Sequence, residues 1–116
     1  MIKKLAKKVN WKITNRSTWD KEWKHEPTEV YIRVSSDVNN AAGHRTVGWI
    51  LELNTPSDRF VIEENYRELG NLKGSYITQK DRVIKNDFIK TAKKMMRKSN
   101  GFTTINQFHE LVYLFH

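Results

Sequence analysis

The spacing of apolar residues changes once along this chain, and the change falls at Gly70-Asn71-Leu72-Lys73-Gly74-Ser75. Before it, apolar side chains recur at every second residue, the repeat of a strand that buries one face. After it they recur every three or four residues, the repeat of a helix. Two glycines among polar residues make the segment itself a boundary. A chain that places its strands first and its helices last does not alternate them into a parallel sheet. It is restricted to an α+β fold, a small antiparallel sheet of three to four strands followed by two C-terminal helices packed on one face.

Glu29-Val30-Tyr31-Ile32-Arg33-Val34-Ser35 sets Val30, Ile32 and Val34 against Tyr31, Arg33 and Ser35, which predicts a strand. Arg45 to Asn54 sets Val47, Trp49, Leu51 and Leu53 against Thr46, Gly48, Ile50 and Glu52, with the β-branched and aromatic content of a pleated surface. Thr55-Pro56-Ser57-Asp58 is a turn signal before Arg59 to Glu63 resumes extended character, so the two runs form a hairpin. Asp37 to His44 is long for a hairpin connection and reads as a mobile loop. Val9 to Thr14 alternates weakly, and the first 25 residues read as a basic lead-in followed by a strand.

Past the boundary, Thr78 and Asp81 form a variant capping box, and Val83, Ile84, Phe88, Ala92, Met95 and Met96 recur at helical spacing. Ser99-Asn100-Gly101 ends that helix, with Gly101 suited to a left-handed cap. Thr104 and Gln107 form a second capping box, opening a helix that buries Ile105, Phe108, Leu111, Val112 and Phe115. The 116 residues are the length of one domain, with a basic lead-in (about 1–25), a sheet region (about 26–69) and a helical pair (about 77–116).

Charge is distributed unevenly over these parts. Residues 1–25 carry eight basic side chains against two acidic (+6), residues 26–79 five against eight (−3), and residues 80–116 eight against three (+5), for a net charge of +8. Two basic flanks around an acidic middle describe a surface able to orient against a polyanion. The helix from Thr78 concentrates Lys90, Lys93, Lys94, Arg97 and Lys98 in its last turns. Bases there complement the helix dipole, but five in nine residues exceed what the dipole asks for, and Lys90, Lys94 and Arg97 fall on one flank able to track a phosphate backbone. The N-terminal segment mixes Lys7, Lys8, Lys12, Arg16, Lys21 and Lys24 with Trp11, Trp19 and Trp23. Aromatics among cations suit single-stranded nucleic acid, although tryptophans in a chain this small serve first as core, Trp49 above all.

Other chemistry is thinly supported. With no cysteine there is neither a disulfide nor a thiolate metal site, and a reducing, cytoplasmic setting is expected. Met1 to Lys8 resembles the charged start of a signal peptide, yet no apolar stretch of about 7 to 15 residues follows. The longest apolar run, Leu111 to Phe115, is far short of the roughly 18 residues that span a bilayer. His109-Glu110 opens a metalloprotease-like box, but Tyr113 stands where the second histidine is needed. His25 falls in a loop beside Pro27, and His44 beside Gly43; no spacing matches a metal cluster, so neither metal nor cofactor is expected. Lys73-Gly74-Ser75 inverts the order of a phosphate loop.

The reading favoured is a small non-enzymatic protein that binds nucleic acid, or a complex that processes it, through phosphate contacts from Lys7, Lys8, Lys12, Arg16, Lys90, Lys93, Lys94, Arg97 and Lys98. The alternative is an inhibitor or adaptor of a host nucleic-acid enzyme, of the kind phages and mobile elements use. In that reading the acidic Glu52, Asp58, Glu63, Glu64 and Glu68 meet a groove built for nucleic acid. A metal-independent nuclease drawing on His44, Arg45, Tyr66 or His109 is the third.

Overall fold

The computed structural model of the protein describes residues 10–17, 20–39, 46–68 and 79–115. Five strands, β1 (Trp11–Arg16), β2 (Asp20–His25), β3 (Val30–Asn39), β4 (Thr46–Asn54) and β5 (Arg59–Glu68), form one antiparallel sheet in sequence order. Two helices follow, α1 (Gln79–Lys98) and α2 (Ile105–Phe115). The α+β fold is as expected, but the sheet has five strands rather than three to four.

The additional strand comes from the presumed lead-in, whose residues 11–16 and 20–25 form a hairpin of the sheet. In β2 the residues facing the helices are Lys21, Trp23 and His25, opposite Val34, Ile32 and Val30. With one apolar residue among three, the strand carries no hydrophobic period to read, and its partners hold it in place. β3 also continues to Asn39, through residues expected to begin a loop, because pairing with β4 outweighs the poor strand propensity of Asp and Asn.

Between the sheet and the helices, Val30, Ile32, Val34, Trp49, Leu51 and Leu53 meet Phe88, Ala92, Met95, Met96, Phe108 and Leu111 in one apolar cluster. α1 lies against β3 and β4, and α2 touches β5. Val83, expected in this core, points outward and is 51% exposed. Trp11 and Trp23 are buried in the cluster, and Trp19 lies outside the described residues. The other face of the sheet is not covered by either helix.

Local chemistry sets the element ends. Thr55 Oγ1 accepts from the amides of Ser57 (3.3 Å) and Asp58 (2.9 Å), closing the β4–β5 hairpin as expected. Gln107 Oε1 accepts from the Thr104 amide at 3.0 Å and the Thr103 amide at 2.7 Å, the reciprocal half of the predicted capping box. The end of α1 differs from expectation. Gly101 does not adopt a left-handed φ. Ser99 turns its hydroxyl back onto the Met95 carbonyl at 2.7 Å, and the Phe102 amide bonds the Ser99 carbonyl at 3.0 Å. The left-handed conformation appears instead at Glu29, φ 59°, in the β2–β3 turn. The Thr78 cap, the Gly70–Ser75 boundary and much of the 37–44 connection lie outside the described residues.

Candidate functional site

The β1–β2 hairpin and α1 leave a groove of about 380 Å³ between them, lined by Trp11, Ile13, Arg16, Lys21, Trp23 and Lys93. A bulge shapes its rim. Ile13 pairs with Trp23 but Asn15 pairs with Glu22, so Thr14 is an extra residue. Plain alternation from Trp11 and Ile13 would send Arg16 to the opposite face, and the bulge returns it to the helix side, across from Lys21. Thr14 holds the bulge through its hydroxyl, 2.9 Å from the Glu22 carboxylate. At the other end of the groove, Asn10 Nδ2 donates to the Asn100 carbonyl at 2.7 Å, tying the start of β1 to the residues just past α1.

Helical geometry distributes the α1 bases. At 100° per residue, Arg82, Lys85 and Lys93 share the flank nearest the hairpin, Lys90, Lys94 and Arg97 face outward, and Lys98 lies on the far flank. The last four are exposed, as is Lys93. Burial pushes the Lys85 ammonium below its ordinary pKa, and the charges of Lys21 and Arg82 push the same way. Of the expected contact residues, the structure therefore brings Arg16 and Lys93 into one groove and sets Lys90, Lys94 and Arg97 on the adjoining helix face. Lys12 is on the opposite face of the sheet, 3.4 Å from Glu26. Lys7 and Lys8 lie outside the described residues. Lys85 and Arg82 were not among the expected contacts, and neither was Lys21, although it is one of the bases interleaved with the N-terminal tryptophans. The spacing 82, 85, 93 marks one helix flank and could have pointed to two of them.

On the uncovered face of the sheet, two arginines are paired with acids. Arg33 donates from Nε and Nη2 to the two oxygens of Asp20, at 3.0 and 2.7 Å. Glu52, opposite Arg33 in the register, accepts from Arg59 at 3.1 and 2.8 Å and from Asn54 at 2.9 Å. These bonds hold the Arg33 and Arg59 guanidiniums above their ordinary pKa. Lys24 lies over the Tyr31 ring at 5.9 Å. Tyr66 lies across Gly48, where a Cβ would overlap its ring.

His25 is not in a loop. It ends β2, fully buried, with Nδ1 2.8 Å from the Thr28 hydroxyl and its ring against Trp11 and Phe108. Burial lowers its pKa, and the Asn100 carbonyl works in the other direction. His109 packs against Phe60 on the helix side of the sheet, whereas Tyr66 lies on the uncovered side. The two do not converge, and His44 and Arg45 lie outside the described residues. Glu63 and Glu64 point to opposite faces of β5. Among the described residues no cluster of three or more His, Asp or Glu is placed to hold a metal, and no helix is long and apolar enough to cross a membrane.

The fold and groove together define a class, an α+β protein with a cationic cleft at one edge of its sheet. Compared with known proteins, the chain matches no family model, no curated protein and no solved structure.

Proposed function

We propose that the protein is a non-enzymatic accessory that binds nucleic acid through its phosphates. The observation carrying this reading is that Arg16 and Lys21, from the first strands, line the same groove as Lys93, from the C-terminal part of α1. Basic residues distant in sequence thus share one surface, which Lys90, Lys94 and Arg97 extend around the helix. Trp11 and Trp23 are 5% and 6% exposed, so little of either ring is open to stack on a base. Recognition without stacking on these rings is sequence-tolerant and rests on the backbone of the ligand.

Anisotropy of a labelled oligonucleotide across a salt series tests this. Log K should fall with log salt by about 0.7 for each phosphate contact on a single strand and about 0.9 on B-DNA. A flat dependence, or no binding at low salt, overturns the reading.

The inhibitor or adaptor reading draws on a different observation. β5 is an edge strand and exposes Glu63, Glu64 and Glu68, opposite in charge to the groove. Pull-down from a nuclease-treated lysate separates the two: a stoichiometric protein that survives nuclease favours the inhibitor, and loss of all partners favours nucleic acid.

A further inference from the structure

Like charges directly opposite each other on paired strands are destabilising, yet the β1–β2 hairpin contains two such pairs, Lys12 with Lys24 and Arg16 with Lys21. The first is balanced. Glu26 sits between the two ammoniums, 3.4 Å from Lys12 and 3.7 Å from Lys24. The second pair has no such acid. Among the described residues, no carboxylate lies within 4.0 Å of Arg16, Lys21 or Lys93.

The second pair is also in the more costly place. Lys21 occupies an inward position of β2, opposite Val34 and two residues from Trp23, where an apolar residue would extend the core. It is only partly exposed. α1 adds further positive charge from its near flank, where the charge of Lys21 disfavours the protonated form of Lys85. Beneath these cations the floor is apolar, formed by Trp11, Ile13 and Trp23. The groove's 380 Å³ equals about a dozen waters at roughly 30 Å³ each, more than a bare phosphate needs.

The geometry points to a discrete phosphate seat, in which Arg16, Lys21 and Lys93 hold one phosphate group and Trp11, Ile13 and Trp23 take the attached sugar. The external phosphate stands where Glu26 stands in the balanced pair. The seat rests on the nucleic-acid reading above and deepens it, because it names the unit of ligand bound. A backbone phosphodiester and a terminal phosphate share this chemistry.

The test is a thermal-shift titration of the full chain with inorganic phosphate and with deoxyribose 5-phosphate, alongside anisotropy with oligonucleotides bearing a 5′-phosphate or a 5′-hydroxyl. The variants are Lys21→Leu, Arg16→Gln and Lys93→Gln, with Lys24→Gln on the uncovered face of the sheet as control. In the wild type, deoxyribose 5-phosphate should raise Tm saturably and at lower concentration than phosphate alone. Lys21→Leu should melt higher than the wild type without ligand, since it removes repulsion and adds apolar burial. Both Lys21→Leu and Arg16→Gln should weaken the response at least about tenfold, the scale of a lost charge-assisted hydrogen bond. Lys24→Gln should respond like the wild type.

No saturable shift in the wild type, or an undiminished shift in Lys21→Leu and Arg16→Gln, overturns the seat. Oligonucleotide binding that survives the groove variants overturns the seat while the nucleic-acid reading stands. A working seat with no oligonucleotide binding overturns that reading and leaves the seat. Preference for the 5′-phosphate assigns the seat to strand ends, and equal binding assigns it to the backbone.

Discussion

The uncovered face of the sheet and the groove on its other side are both lined with charge, but they use it differently. On the uncovered face Asp20, Arg33, Glu52 and Arg59 run across four strands, and each is bonded to a neighbour of opposite sign. In the groove Arg16, Lys21 and Lys93 have no acid in reach among the described residues. Abundant charge is therefore a poor guide to a binding surface. The informative quantity is the charge left over once internal partners are counted, and here a cationic remainder lines the helix side of the first hairpin and continues onto the outer face of α1.

The largest effect should come from breaking the paired face. Glu52 is 5% exposed and anchors Arg59 and Asn54, so Glu52→Ala should lower unfolding free energy by about 2 to 3 kcal/mol in urea. Lys93→Ala in the groove should change it by no more than about 0.5 kcal/mol. Comparable costs at the two sites would erase the contrast.

Next is a pH effect at the junction of the hairpin with α2. Because burial keeps the His25 pKa below its ordinary value, the unfolded chain takes up the proton first on acidification. The stability this residue contributes is complete above about pH 6.5 and is lost as pH falls from there toward the folded-state value. The stability advantage of wild type over His25→Leu should therefore narrow between pH 7.5 and 5.5. An unchanged gap would mean that His25 titrates alike in both states.

A gain of about 0.5 to 1 kcal/mol is expected from Glu29→Gly, since a non-glycine residue at φ 59° is strained. This turn also carries Glu26 to its two lysines. The variant should keep those contacts, visible as an unchanged salt dependence of Tm.

Smallest is Glu26→Gln, which should cost within about 0.5 kcal/mol because the ion pairs it removes are largely exposed. It leaves Lys12 and Lys24 in the condition of Arg16 and Lys21. It should add a weak, salt-sensitive phosphate response on the uncovered face, and its absence would show that charge without an apolar floor makes no seat.

What could be read in advance follows the same division. β3, β4, the β4–β5 turn and α2 follow apolar period and turn chemistry, and the structure matches them because apolar side chains hold the inward positions and the turn and cap close through neighbouring side chains. β2 was illegible since Lys21 and His25 occupy two of its three inward positions. Arg16 was identified as a basic contact, but its partner across the hairpin was not. Strand parity places Arg16 on the wrong face unless the bulge at Thr14 is known, and a bulge depends on how two strands register. The α1 bases were legible as a cluster. Which of them faces the groove depended on where the helix lies over the sheet.

The bulge at Thr14 also works as a phase shifter. Residues up to Ile13 and residues from Asn15 onward follow two different frames of inside and outside, joined at a single unpaired position. Two otherwise identical chains, one bulged there and one paired straight through, would present the same arginine on opposite sides of the sheet. The display of this cation is thus switchable by one residue of strand length, a smaller step than replacing any residue of the site.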